Sequence, residues 1–110
     1  MILAIVDDAL FRSKLEAAAA QLGTPLTIAA DPGPVLRAGA GWSRALIDLN
    51  LSRGDSLAMV RTLRTANPEM PVIGYCSHVQ HDLRQQALEA GCTQVLPRSA
   101  FVQQLPELLL

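Results

Sequence analysis

The stretch RALIDLNL, Arg44 to Leu51, places an aspartate inside an otherwise apolar run. A run this short and this apolar predicts a strand buried on both faces, the kind of strand found in parallel sheets. An ionised carboxylate in such a strand costs on the order of several kcal/mol unless a charge or a hydrogen-bond donor meets it. Asp48 therefore predicts a buried strand and a polar site on that strand.

Four more short apolar runs flank this stretch, and segments with helical spacing separate them. Strands that alternate with helices predict an α/β domain, a doubly wound parallel sheet with helices on both faces. Right-handed connections leave few topologies, and the commonest at this size is the flavodoxin-like order 2-1-3-4-5. The five predicted strands are Ile2–Val6, Leu26–Ala30, Ala45–Leu49, Pro71–Cys76 and Thr93–Leu96.

Helices are predicted where apolar residues recur at helical spacing. The first should end at Gly23, Ser56 or Asp55 should N-cap the third, and Pro34–Ala38 should form only a short turn. Ser99 should cap the last helix, which Pro106 should kink or restart. The residues predicted to face inward are, helix by helix, Phe11, Leu15, Ala18 and Leu22; Leu57, Val60 and Leu63; Leu83, Ala87 and Ala90; and Phe101, Leu105 and Leu108.

Composition narrows the class of protein. The 110 residues suit one domain, residues 1–110, and 50% of them are hydrophobic, enough for a core. The net charge of −1 gives no basic surface for nucleic acid or an anionic membrane. No apolar run approaches the roughly 20 residues of a membrane helix, and no secretory signal is present. We therefore expect a cytoplasmic protein in which Cys76 and Cys92 are reduced thiols.

Three carboxylates should meet at one edge of the predicted sheet. Asp7 and Asp8 end the first strand, Asp48 lies near the end of the third, and these strands are neighbours in the predicted order. Like charges in one crevice repel, and Mg²⁺ is the hard cation that would relieve them. With Mg²⁺ bound, an aspartate could accept a phosphoryl group as an acyl phosphate. The alternatives are a strand end or helix cap for Asp7 and Asp8, and satisfaction by backbone amides for Asp48.

The order of these segments resembles the receiver domains of bacterial two-component response regulators, including the chemotaxis type. The segments IVDDALFRSKL, ALIDLNLSRGDS, PVIGYCSH and ALEAGCTQVLPRSAF carry the resemblance across nearly the whole chain. It implies that Asp7, Asp8, Asp48 and the Asn50 carbonyl hold Mg²⁺. It also implies that a histidine kinase or phosphotransfer protein phosphorylates Asp48. The signal would pass to a downstream protein through the face formed by helix 4, strand 5 and helix 5.

The chain departs from the receiver pattern at the positions that contact the phosphoryl group. Cys76 stands where receivers have a hydroxyl residue, and the neighbouring Ser77 could offer its backbone N–H to an anion. Arg98 stands where they have lysine, and Val95 where they have an aromatic residue. Cys76 is best interpreted as a small buried residue. Arg98 is either a tolerated exchange or a permanent clamp on Asp48, since its planar fork favours a carboxylate.

Three functions remain open from the sequence. The first is a phosphorylated receiver that is not an enzyme, and the second is a phosphorylation-independent pseudo-receiver that acts as an interaction scaffold. The third is a small phosphatase with Asp48 as its nucleophile, which we disfavour because such enzymes place that residue in the first strand. His78 and His81 are predicted to be surface residues rather than metal ligands. The apolar end, Leu108–Leu110, is either frayed or a contact in a homodimer.

Overall fold

Five short apolar strands form one parallel sheet in a computed structural model of the protein, which describes residues 1–37 and 41–110. The strands are β1 (Ile2–Ile5), β2 (Leu26–Ala29), β3 (Arg44–Asp48), β4 (Val72–Cys76) and β5 (Gln94–Pro97). Their order across the sheet is β2-β1-β3-β4-β5, which confirms the order predicted from the sequence. The carboxyl ends of β1 and β3 therefore lie side by side, where the strand order reverses.

The observed strands differ from the predicted ones by no more than one residue at either end. An apolar run does not show where backbone pairing stops. Thr93, predicted as the first residue of the last strand, lies just outside β5. Its side-chain oxygen accepts a hydrogen bond from the Val72 N–H at 3.1 Å, and its own N–H donates to the Val72 carbonyl at 2.8 Å.

Helices cover both faces of the sheet, and their bounds are α1 (Ala9–Leu22), α2 (Gly33–Arg37), α3 (Ser56–Ala66), α4 (His81–Ala90), α5 (Arg98–Gln103) and α6 (Leu105–Leu108). Because successive strand residues point to opposite faces, the sheet supports two cores. One core includes Phe11 of α1 and Phe101 of α5, and the other includes Val60 of α3 and Ala87 of α4. The short turn predicted near Pro34 is α2, and its predicted last residue, Ala38, lies outside the described residues. Within 1–37 and 41–110, no helix combines the length and apolar character needed to cross a membrane.

Helix α1 begins and ends at residues with well-defined caps. The Asp8 carboxylate accepts hydrogen bonds from two N–H groups of the first turn, and Gly23 takes the left-handed conformation, with φ of 67°, that ends the helix. The prediction that Leu22 faces inward is wrong, because its side chain is 43% exposed, whereas Ala19 is buried. Helical spacing identifies the inner face of a helix but not how far the facing layer extends.

The last helical segment begins earlier than predicted and is divided in two. Strand β5 runs directly into α5, so Pro97 rather than Ser99 precedes the first helical residue. Pro97 has φ of −58°, a value that leads into a helix, and no loop separates strand from helix. The restart predicted at Pro106 is confirmed, since α6 is a separate helix. Of the three terminal leucines left open by the sequence, Leu108 and Leu109 are buried and Leu110 is exposed.

Candidate functional site

A cleft of about 650 Å³ opens at the carboxyl ends of β1, β3, β4 and β5. This is the edge at which open parallel α/β sheets bind ligands. Every site residue predicted from the sequence lines the cleft. These residues are Asp7, Asp8, Asp48, Asn50, Cys76, Ser77 and Arg98. The topology therefore brings all of the predicted residues to one cleft, independently of the role of each.

Asp48 is the last residue of β3 and is only 6% exposed. One of its oxygens, Oδ1, accepts a hydrogen bond from the Asn50 backbone N–H at 2.8 Å. Burial raises the pKa of the Asp48 carboxyl above its ordinary value, although this hydrogen bond opposes the rise. The carboxyl is thus held in place by the backbone at one oxygen, and its charge is incompletely compensated.

Asp7 ties the loop after β3 to the end of β1. Its Oδ2 accepts hydrogen bonds from the Ser52 N–H at 2.9 Å, the Ser52 hydroxyl at 2.8 Å and the Arg53 N–H at 3.2 Å. Three donors on a single oxygen fix the orientation of the carboxylate. Oδ1 is therefore the Asp7 oxygen that can meet a ligand.

Both carboxylate oxygens of Asp8 have partners within the fold. Oδ1 caps α1 by accepting from the N–H groups of Leu10 and Phe11 at 2.9 and 3.3 Å. Oδ2 lies 3.6 Å from Nη2 of Arg98, and the Arg98 guanidinium lies 4.8 Å above the Phe11 ring. Asp8 is thus a helix cap, which is one of the alternatives to a metal ligand that the sequence left open. Asp8 nevertheless also lies in the cleft with Asp48.

The hypothesis that Arg98 clamps Asp48 is wrong, because Arg98 forms its ion pair with Asp8 instead. Arg98 is the first residue of α5, and the start of α1 offers it both a carboxylate and a ring face. The two paired side chains are 54% and 41% exposed. An exposed pair of this kind is worth at most about 1 kcal/mol, so it restrains Asp8 only weakly.

The side chain that lies against Asp48 is Tyr75, which the sequence reasoning did not single out. Asp48 and Tyr75 are paired residues of the adjacent strands β3 and β4, so they point to the same side of the sheet. Tyr75 is 1% exposed, with its ring centroid 4.4 Å from that of Phe101 and 4.9 Å from that of Phe11. Its hydroxyl makes no hydrogen bond of acceptable geometry to any described residue, Asp48 included. Counting the strand register of PVIGYC against ALIDL could have identified it.

The predicted anion-binding groups on β4 are occupied or buried. Cys76 is 3% exposed and packs in the core beneath α3 and α4, and burial raises the pKa of its thiol. The Ser77 N–H donates to Oε1 of Gln80 at 2.9 Å. Gln80 also exchanges two side-chain hydrogen bonds with Asn50, at 2.8 and 2.9 Å. This amide pair joins the loops after β3 and β4, and no periodic pattern in the sequence indicates it.

The donor types suit Mg²⁺, but their arrangement does not form a finished metal site. In the described ranges, no three His, Cys, Asp or Glu side chains are grouped closely enough to hold a metal ion. Carboxylate oxygens of Asp7, Asp8 and Asp48 are the ligands that Mg²⁺ prefers. A bound ion would have to compete with Arg98 for Asp8. These residues would therefore hold Mg²⁺ only after that ion pair opens.

We expect Arg98→Gln to bind Mg²⁺ up to about fivefold more tightly than the parent, because an ion pair worth up to about 1 kcal/mol no longer opposes it. The measurement is the melting temperature across a Mg²⁺ titration, since an ion bound only by the folded state stabilises it. Arg61→Gln removes the same charge from an exposed position on α3 and serves as the control. Equal Mg²⁺ affinities for the two variants would contradict this competition.

Comparisons with known proteins agree on the fold. No protein-family model matches the chain, and no curated protein is significantly similar to it. The structure superposes on the receiver domain of NtrX from Brucella abortus with a TM-score of 0.82 at 20% identity, over 98% of this chain and 93% of that one. The receiver domain of the sensor histidine kinase PA1611 from Pseudomonas aeruginosa PAO1, solved with a magnesium ion in its active site cleft, gives a TM-score of 0.80 at 23% identity, over 98% and 92%.

A chemotaxis protein shows the same likeness. The response regulator CheY4 of Vibrio cholerae superposes with a TM-score of 0.80 at 19% identity, over 98% of this chain and 93% of that one. These likenesses extend over nearly the whole length of both partners, so they concern the complete sheet and its helices. The protein has the receiver-domain fold of response regulators.

Proposed function

We propose that the protein is a receiver domain of two-component signal transduction and that Asp48 is its phospho-acceptor. The observation that carries the proposal is the Asp48 carboxyl, buried at the end of β3 in a cleft that also holds Asp7, Asp8 and Arg98. A buried, incompletely compensated carboxylate is costly in a sheet of this kind. A role as nucleophile explains why it is there.

The two groups that react are a carboxylate and a phosphoryl donor. An Asp48 carboxylate oxygen attacks phosphorus, a new P–O bond forms, and the P–O bond to the leaving group breaks as that group departs with the electron pair. With acetyl phosphate as the donor, the leaving group is acetate and no proton is transferred. Asp7, Asp8, Asp48 and the Asn50 carbonyl would hold Mg²⁺, and the ion would neutralise charge on the phosphoryl oxygens. Arg98 adds a positive charge at the same end of the cleft.

The proposed partners follow from the receiver fold. A histidine kinase or phosphotransfer protein would donate the phosphoryl group in the cytoplasm. A downstream protein would bind the face formed by α4, β5 and α5. In this proposal the acyl phosphate is the signal rather than an intermediate, so the protein is not an enzyme. Val95, buried at the position of the usual aromatic residue, favours a small change of that face on phosphorylation.

The second candidate is a pseudo-receiver that binds its partner without phosphorylation. The Arg98–Asp8 ion pair and the buried Cys76 favour it, because both depart from the receiver site. The small energy of the Arg98–Asp8 ion pair makes this the second candidate rather than the first. An exposed ion pair worth at most about 1 kcal/mol lowers metal affinity about fivefold and does not abolish binding.

Intact mass spectrometry after incubation with acetyl phosphate and Mg²⁺ tests the proposal. We expect the parent protein to gain one phosphoryl group, and to gain none when a chelator removes the metal. An unchanged mass with Mg²⁺ present would contradict the receiver and support the scaffold. Continuous release of inorganic phosphate in excess over protein would instead support the phosphatase.

A further inference from the structure

The cleft contains a buried hydroxyl that the receiver pattern does not assign. The Tyr75 side chain is 1% exposed and lines the cleft beside Asp48. Its hydroxyl lies close enough to the Asp48 carboxyl to lower the pKa of that group, yet it makes no hydrogen bond of good geometry to any described residue. Leaving a buried hydroxyl unpaired costs free energy, and a phenylalanine of nearly the same shape would avoid that cost. A ligand that enters the cleft and pairs with the hydroxyl would explain why a tyrosine is present here.

Two neighbouring aromatic rings hold the Tyr75 ring in place. Phe101 and Phe11 pack on it with centroid distances of 4.4 and 4.9 Å. Tyr75 is the strand partner of Asp48, and the charges that act on it are those of Asp48, Arg98 and Asp8. Burial raises the pKa of the Tyr75 hydroxyl, so the group keeps its proton at neutral pH and can only be a neutral donor or acceptor. A fixed neutral donor next to a carboxylate suits an anion bound at that carboxylate.

Other candidates for this role are less suitable. The Cys76 side chain packs in the opposite core, and a thiol is a weak donor. The Ser77 N–H is engaged by Gln80. The Asn50 N–H is engaged by Asp48 itself. Tyr75 is thus the buried side-chain donor of the cleft that is left without a partner among the described residues.

We propose that the Tyr75 hydroxyl donates a hydrogen bond to an oxygen of the phosphoryl group on Asp48, in the role that a hydroxyl residue at the Cys76 position would otherwise have. This inference rests on the proposed function, because it needs the phosphoryl group. The phosphoryl group would then be recognised by Tyr75, the β4 residue opposite Asp48, instead of by Cys76, the next residue of the same strand.

The test compares the initial labelling rate by acetyl phosphate and Mg²⁺ in the parent and in Tyr75→Phe, with unfolding by urea measured in parallel. A hydrogen bond to a charged oxygen changes a binding or rate constant about tenfold or more. Tyr75→Phe should therefore be labelled about tenfold more slowly. The same variant should keep most of the stability of the parent, because the hydroxyl that it loses makes no well-formed hydrogen bond in the fold. A purely structural role would instead lower stability together with rate.

Leu105→Ala is the packing control, since it removes buried volume from the same core and leaves the three rings and the hydroxyl in place. We expect it to lose stability and to be labelled within about twofold of the parent rate. Labelling of Tyr75→Phe at the parent rate would overturn the role of Tyr75 and leave the receiver proposal intact. An unlabelled parent would overturn both.

Discussion

The Asp48→Asn variant is expected to take up no phosphoryl group and to be more stable than the parent by about 1 kcal/mol at neutral pH. The amide is not a nucleophile at this site, so labelling should be lost completely. The gain in stability has a separate cause, which is the removal of a buried negative charge. Asn keeps an oxygen that can accept the hydrogen bond from the Asn50 N–H, so the backbone contact is preserved.

The stability gain should depend on pH. Burial raises the folded-state pKa of Asp48 above its ordinary value of 3.8. Below that value both the folded and the unfolded chain hold the proton, and the two proteins should differ little. As the pH rises through the folded-state pKa, ionisation favours the unfolded parent, so the advantage of Asp48→Asn grows and levels off once the pH exceeds that pKa. Urea unfolding at a series of pH values measures it.

Asp55→Asn is the matched control for this substitution. Asp55 is exposed and caps α3 by accepting from the Ala58 N–H, and asparagine is an equally good cap. We expect Asp55→Asn to change neither labelling nor stability measurably. A destabilised Asp48→Asn protein at neutral pH would show that the Asp48 charge is well compensated in the fold, contrary to our account.

Phe101→Ala should lower the free energy of unfolding by about 4 kcal/mol. Phe101 is fully buried and lies against both Tyr75 and Phe11, so truncation leaves a cavity in the core beneath the cleft. Urea unfolding gives the loss, and Val102→Ala on the same helix, at a partly buried position, should lose far less. If Phe101→Ala does not fold, Phe101→Leu still tests the point with a loss of about 1 kcal/mol. A loss for Phe101→Ala no larger than that for Val102→Ala would contradict the central place of the three-ring cluster.

The sequence was sufficient for the topology because the fold depends on local patterns. The apolar run around Asp48 has the length and composition of a doubly buried strand, and short connections leave few ways to order five such strands. That order then places Asp7, Asp8 and Asp48 at one edge without any knowledge of side-chain contacts. The gathering of the acidic residues was therefore predictable.

The partners of those residues were not predictable, because they depend on tertiary register. Arg98 contacts Asp8 because β5 enters α5 without a loop, which no spacing rule revealed. Tyr75 faces Asp48 only because β3 and β4 pair in one particular register. Gln80 reaches Asn50 across two loops, and such polar side chains carry no periodic signal. Sequence patterns locate elements, whereas the contacts between their ends require the three-dimensional structure.

The central claim is that Asp48 is the phospho-acceptor, and borohydride mapping of the labelled protein tests it most directly. Borohydride reduces an aspartyl phosphate to homoserine, and peptide mass spectrometry then identifies the modified position. After incubation with acetyl phosphate and Mg²⁺, the account predicts homoserine at position 48 and at no other aspartate. Homoserine at position 7, 8 or 55, or none in protein that has gained a phosphoryl group, would contradict it.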